Sequence, residues 1–136
     1  RPVKLGGKRL LDGGVSDPIP VKWMLSRGYE KNVVVLTRDV KYRKKANPKM
    51  QLFLKAVLHK YPAFLKDLEE RHIHYNETLE ELSALEKEGR VHIIRPSSPI
   101  QAAMIERDES NLERIYQTGR ADMKKDLEKL KAYLDS

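Results

Sequence analysis

The sequence predicts an α/β protein in which a small, mostly parallel sheet is flanked by helices. Residues 32–37 form an aliphatic, β-branched run between charged residues, which is typical of a strand buried on both faces. A strand-like run and a helix-like segment precede it, and this order indicates a parallel βαβ unit. From residue 48 onward, apolar residues recur at helical spacing. The 136 residues therefore fit one domain or part of one.

A hairpin and a short helix are predicted at the start of the chain. Gly6 and Gly7 lie between two short strand-like runs, which favours a turn of type I′ or II′. The second arm of this hairpin leads to Asp12, and we expect the hairpin at or near one end of the sheet. Pro20 suits the first turn of a helix because its missing N–H costs nothing there. Gly28 can end that helix.

Three helices are predicted between the central strand and the next strand. One begins after Pro48 and is broken at Tyr61-Pro62. A second begins at Ala63, and a third follows Asn76, which is a good N-cap residue. This arrangement predicts two short helices between residues 63 and 89.

A second buried strand and two further helices complete the prediction. Residues 91–94 read V-H-I-I, which is typical of a short buried strand. Ser110 and Glu113 have the spacing of a capping box in front of an apolar-periodic segment. Gly119 is expected to interrupt that helix, and the last helix is expected to begin near Arg120.

The composition indicates a globular chain with a heavily charged surface. Hydrophobic residues make up 40% and charged residues 35%. No apolar run approaches the roughly 18 residues of a membrane-spanning helix. Cysteine is absent, which excludes a disulfide framework and a thiolate zinc site. Because the chain starts at Arg1 and not at an initiator methionine, we expect a processed, cleaved or incomplete chain, and a missing N-terminus can hold a signal peptide.

The formal net charge of +7 directs attention to the basic residues, most of which alternate with acidic ones. The densest basic cluster surrounds Tyr42 and consists of Arg38, Lys41, Arg43, Lys44 and Lys45. Three interpretations stay open for this loop: a solvated loop, contact with phospholipid headgroups at a membrane surface, or nucleic-acid binding. The chain contains no nucleic-acid recognition motif, so no nucleic-acid partner is expected.

The segment K-R-L-L-D-G-G-V-S-D-P-I-P-V, residues 8–21, is the strongest candidate for chemistry. It places Asp12 at the tip of a strand, and loops at strand ends hold the functional residues of α/β proteins. Gly13 and Gly14 follow, and glycines permit positive φ and the close approach of another backbone. Taken alone, Asp-Gly-Gly is also explained by an ordinary turn.

This segment resembles the D-G-G/A motif of the patatin-like phospholipases, and in particular of the bacterial patatin-like proteins. Four further stretches are also similar to the bacterial members. They are V-V-V-L-T-R with Y-R-K-K, R-H-I-H-Y-N, E-G-R-V-H-I-I-R-P and Y-Q-T-G. The resemblance implies the C-terminal part of a three-layer α/β/α fold. Residues 1–47 are then the end of the catalytic core, and residues 48–136 a helical and α/β C-terminal extension, within a single domain or a C-terminal fragment of one.

The resemblance implies a serine-type carboxylic ester hydrolase, similar to phospholipase A, in the full-length protein. Asp12 is then half of a Ser–Asp dyad whose serine lies upstream on a G-x-S-x-G elbow. No serine of this chain has glycine two residues before and two after, so the chain alone is expected to be inactive. The implied substrate is a phospholipid or another acyl lipid, no cofactor is needed, and the implied location is cytoplasmic or peripheral to the membrane in a bacterium.

Two further expectations concern metals and partners. Glu69 and His72 would share one face of a helix, but His72 and His74 would not, so no metal site is expected. The alternative function is a non-catalytic α/β module whose basic loop binds anionic lipid or a protein partner. Loss of upstream strands would expose a sheet edge and an apolar face, so the fragment is expected to self-associate.

Overall fold

The computed structural model describes residues 3–102 and 106–136, which form a mixed α/β protein. The strands in the described residues are β1 (Val3–Leu5), β2 (Lys8–Leu10), β3 (Asn32–Val35) and β4 (Val91–Ile94). The helices are a 3₁₀ turn (Gly13–Val15), α1 (Val21–Ser26), α2 (Pro48–Leu58), α3 (Pro62–Lys87) and α4 (Glu109–Asp135). The chain divides into two compact units: residues 1–20 with 43–81, and residues 21–42 with 82–136.

The predicted hairpin is confirmed, but it does not belong to the parallel sheet. β1 and β2 pair with each other in antiparallel fashion and form a two-stranded sheet of their own. Gly6 and Gly7 have φ values of 54° and 75°, and two positive values in sequence fit a type I′ turn. The expectation that this hairpin lies at the end of the parallel sheet is therefore wrong.

In the second unit, β3 and β4 form a parallel pair in which Asn32 lies opposite Val91 and Val35 opposite Ile94. The core of this unit contains Leu82, Val91 and Ile93, all buried. The prediction of two parallel strands is confirmed, although the connection between them contains α2 and α3 rather than α1. The predicted βαβ unit around α1 is thus wrong, because the strand before α1 pairs elsewhere.

The expectation that the strand at residues 32–37 is central and buried on both faces is also wrong. Val33 and Val35 are exposed, whereas Asn32 and Leu36 are buried. Side chains alternate between the two faces of a strand, so only one face of β3 packs against the core. Among the described residues this sheet has two strands, and β3 is therefore an edge strand.

Two predicted helix boundaries inside α3 and α4 do not exist. The break at Tyr61-Pro62 and the helix ends near Gly28 and Gly89 are confirmed. α3, however, runs without interruption through Asn76, which bonds to another segment instead of capping a helix. α4 begins two residues earlier than expected because Asp108, and not Ser110, is the N-cap: its carboxylate accepts from the backbone N–H of Ser110, and the helix continues through Gly119.

None of the helices in the described part of the chain is both long enough and apolar enough to cross a membrane.

Candidate functional site

Asp12 lies two residues after β2 and caps the 3₁₀ turn in the first unit. Its backbone is extended, with φ −56° and ψ 131°, and its Oδ1 accepts a hydrogen bond of 2.7 Å from the Gly14 N–H. The Asp12 carbonyl accepts a second bond, of 3.2 Å, from the Val15 N–H. These two local bonds hold the side chain and the backbone of Asp12 in one orientation, as in other Asx turns.

The two glycines after Asp12 have a different role from the expected one. Positive φ occurs at Gly6, Gly7, Gly28 and Gly89 among the described glycines, so Gly13 and Gly14 do not supply it. A Cβ atom at Gly14 would lie 3.0 Å from the Asp12 Oδ1 atom, whereas a Cβ at Gly13 would meet no described atom within 4 Å. Gly14 therefore gives room for the carboxylate above its own N–H.

The turn is also held from α3. Arg71 Nε donates a hydrogen bond of 3.0 Å to the Gly14 carbonyl, and this bond is partly buried. The Asp12 carboxylate itself is exposed. Within residues 3–102 and 106–136, no second donor or cation contacts it. The result is a carboxylate with one oxygen fixed by a backbone N–H and the other open to accept a proton or a hydrogen bond.

An apolar cavity of about 190 Å³ lies next to this turn, because Leu11, the residue before Asp12, forms part of its wall. Its walls are Leu11, Leu58 and Phe64, together with Arg9 and Tyr61, whose side chains are joined by a hydrogen bond of 2.9 Å. Small-molecule pockets usually measure roughly 300 to 1,000 Å³. This cavity is therefore large enough only for a short apolar group, such as one end of an acyl chain.

A second cavity of the first unit, about 180 Å³ in volume, is lined by basic residues on one part and by apolar side chains, among them Met50, Leu54 and Leu68, on another. Lys44, Lys45, Arg71 and His72 contribute to it, and Arg71 is the residue that bonds to the Gly14 carbonyl. Lysine and arginine side chains beside an apolar wall suit a ligand that has an anionic group, such as a phosphate or a carboxylate, next to an apolar part. The cavity and the Asp12 turn are thus connected through one side chain.

The predicted basic loop is divided between the two units. Arg38 and Lys41 belong to the second unit, where the Arg38 guanidinium lies 5.0 Å from the centre of the Tyr42 ring. Arg38 also donates to the Ile100 carbonyl at 3.5 Å, and the Lys41 N–H donates to Asp39 at 2.9 Å. Arg38 and Lys41 therefore make these contacts within the second unit.

The remaining basic residues, Arg43, Lys44 and Lys45, belong to the first unit. The Asn76 side chain accepts from the Lys44 N–H at 2.9 Å and donates to the Lys44 carbonyl at 3.0 Å. The Lys44 ammonium lies 5.4 Å from the centre of the Tyr75 ring. The loop is thus attached to α3, a feature that the sequence analysis missed because Asn76 resembles a helix cap.

The histidines include one pair that sequence reasoning did not find. His92 Nε2 and Asp126 Oδ2 are 2.5 Å apart in the second unit, and the His92 ring lies 5.5 Å from the Tyr133 ring. Thirty-four residues separate the pair, so no spacing in the sequence indicates it. His72 contacts the Glu69 carbonyl, and the described residues contain no group of side chains that could hold a metal ion.

A family model described as "Domain of unknown function (DUF6363)" matches residues 61–135, which is more than half of the chain, and the chain belongs to this family. The matched residues include all of α3, β4 and α4, and with them Arg71 and the His92–Asp126 pair. Asp12 precedes the matched part. No curated protein and no solved structure matches the chain.

Proposed function

We propose that this chain is the C-terminal part of a patatin-like lipid acyl hydrolase in which Asp12 is the base of a Ser–Asp dyad. The serine is supplied by another part of the same protein. The observation that carries the proposal is the geometry of Asp12, whose carboxylate is oriented by the Gly14 N–H and has one oxygen open. A carboxylate placed within hydrogen-bond distance of a serine hydroxyl can accept its proton.

The proposed reaction is an acyl transfer in two steps. As the serine Oγ bonds to the ester carbonyl carbon, its proton passes to Asp12. The ester C–O bond then breaks, and the leaving alcohol takes that proton. Water attacks the acyl-serine, gives one proton to Asp12, and this proton returns to the serine oxygen. No metal and no organic cofactor takes part in this scheme.

The substrate class that we propose is a phospholipid. Its support is the cavity that Lys44, Lys45 and Arg71 line in part, because these side chains suit a phosphate headgroup. Arg71 lines this cavity and holds the turn that carries Asp12. Because the reaction acts on lipid, a cytoplasmic protein that associates with the membrane surface of a bacterium is part of the same proposal.

The three-layer α/β/α fold is likewise a proposal. In it, further strands from another part of the protein extend the parallel sheet beyond β3. The exposed Val33 and Val35 support the second helical layer of this fold, because parallel sheets normally have both faces covered by helices.

The test compares Asp12→Asn with wild type in the intact protein that contains the serine. Asn keeps the shape of the side chain and an acceptor for the Gly14 N–H, but it cannot accept the serine proton. We expect kcat for a p-nitrophenyl ester and for a phospholipid to fall by roughly 10² to 10⁴. Asp17→Asn, at another exposed aspartate of the same segment, is the control and should keep full activity.

The alternative is a non-catalytic α/β module that binds anionic lipid or a protein partner. Near-wild-type turnover by a stably folded Asp12→Asn protein would refute the dyad assignment and favour this alternative. The 136-residue chain alone is expected to hydrolyse no ester above background, because it contains no G-x-S-x-G serine. Turnover by this chain that Asp12→Asn abolished would contradict the requirement for a serine from outside it.

A further inference from the structure

Helix α2 presents an apolar face to solvent. None of its eleven described residues is buried. Leu52 and Phe53 are 72% and 60% exposed, and Met50 and Val57 are also exposed. The half-buried side of the helix consists of Gln51, Leu54 and Leu58 and is no more apolar than the outer side. A surface helix of a globular protein normally has polar residues on its outer face, so the apolar outer face of α2 is a candidate interaction surface.

The charges around α2 indicate what that partner is. Residues 43–66, all of the first unit, contain seven lysines and arginines and no aspartate or glutamate. Lys45, Lys49 and Lys60 are exposed, whereas Lys55 pairs with Glu69 at 3.1 Å. An apolar helix face within a purely cationic segment is complementary to an anionic lipid surface, which offers hydrocarbon below a layer of negative headgroups.

The geometry of the helix fits a position parallel to the membrane plane. At 3.6 residues per turn, Lys49 and Ala56 lie between Leu52 and Phe53 on the outer face. The small Ala56 leaves the two large side chains free to reach downward. The flexible Lys49 side chain can extend its ammonium to the headgroups while its methylenes stay with the apolar residues. Eleven residues span only about 16 Å, which is too short to cross a bilayer.

We propose that α2 lies in the headgroup region of an anionic membrane, with Leu52 and Phe53 inserted and with Lys45, Lys49 and Lys60 on the headgroups. This inference does not require Asp12 to be catalytic. Its measurement is binding and not turnover, so it can fail or succeed separately from the proposed hydrolase function.

The experiment is flotation of the 136-residue chain with vesicles of phosphatidylcholine alone or of phosphatidylcholine mixed with phosphatidylglycerol. Wild type should float with the mixed vesicles and much less with the neutral ones. The double variant Leu52→Gln/Phe53→Gln should bind more weakly by about tenfold for each residue. Lys45→Gln/Lys49→Gln should weaken binding by about fivefold for each lysine, and added salt should act in the same direction.

The matched control is Leu112→Gln/Tyr116→Gln on α4, where the two side chains are 46% and 57% exposed. This variant removes as many large apolar residues but should bind mixed vesicles like wild type. Far-UV circular dichroism verifies that each variant keeps its helices, as expected for residues that point outward.

Three results would overturn the inference. One is equal flotation of wild type and Leu52→Gln/Phe53→Gln, and another is no flotation of wild type with mixed vesicles. The third is a concentration-dependent dimer in sedimentation that Leu52→Gln/Phe53→Gln abolishes, since a second copy of the chain would then cover the face.

Discussion

Replacement of Asn76 by alanine should detach the basic loop from α3 and destabilise the first unit. The Asn76 side chain makes two hydrogen bonds to the Lys44 backbone, at 2.9 and 3.0 Å, and both are partly buried. Each such bond contributes about 0.5 to 1.5 kcal/mol to stability. Alanine recovers up to about 0.7 kcal/mol through its higher helix propensity. The expected net loss is therefore about 0.3 to 2.3 kcal/mol in the free energy of unfolding.

Urea unfolding followed by circular dichroism measures this loss, and amide hydrogen exchange at Lys44 reports the detachment directly. Thr78→Ala is the matched control on the same helix, because among the described residues the Thr78 hydroxyl bonds only within α3, to the His74 carbonyl at 2.9 Å. That variant should be neutral or slightly more stable than wild type. If Asn76→Ala were as stable as Thr78→Ala and protected Lys44 equally, the attachment of the loop by Asn76 would be refuted.

Two further predictions concern the second unit. The Tyr133 hydroxyl accepts from the Asn32 N–H at 2.8 Å and contacts the Arg90 carbonyl at 3.0 Å, so Tyr133→Phe should cost about 1 to 2 kcal/mol in urea unfolding; an unchanged midpoint would contradict this. The Ser97 N–H donates to the Asp122 carboxylate at 2.9 Å and lowers the pKa of that carboxyl below its ordinary value near 4. The bond therefore stabilises the fold at pH values above the pKa of the unfolded chain, and this stabilisation is lost as the pH falls through the lower pKa of the folded state. Asp122→Asn should therefore differ from wild type by less than about 1 kcal/mol at pH 7, and this difference should disappear in acid; a difference that persisted there would refute the linkage.

The elements that the sequence predicted well are those specified by local chemistry. Gly6 and Gly7 are adjacent glycines between strand-like runs, and both adopt the positive φ that a tight hairpin needs. Pro62 disfavours a helical conformation at the residue before it, so α2 cannot continue through Tyr61, and α3 begins at Pro62. In each case the residue type itself restricts the backbone, so the neighbours in space have little influence.

The prediction failed where distant contacts decide. Asn76 is a good helix cap, but its amide is used by the Lys44 backbone, which lies 32 residues away in sequence. Gly119 weakens a helix by about 1 kcal/mol, which the long α4 tolerates. The burial of β3 depends on which other elements cover its two faces, and these are not specified by its own residues. Val33 and Val35 therefore predict a buried strand whether or not such elements are present.

The candidate site shows the same division between local and distant determinants. Asp12 was predicted from the sequence, and its catalytic role stays a prediction. The role of Gly14 is visible only in the structure, because its missing Cβ leaves space for the carboxylate of a residue two positions earlier. Arg71 was noted only as the first residue of the R-H-I-H-Y-N stretch, and no role was predicted for it. It lies within the part of the chain that matches the family, and its bond to the Gly14 carbonyl connects that part to the turn of Asp12. The Gly14 N–H donates to the Asp12 carboxylate, and the Gly14 carbonyl accepts from Arg71 on α3. Through these two bonds, α3 fixes the position of one Asp12 carboxylate oxygen. The base of the proposed dyad would need such support, since an error of about 1 Å in its position can cost roughly a hundredfold in rate.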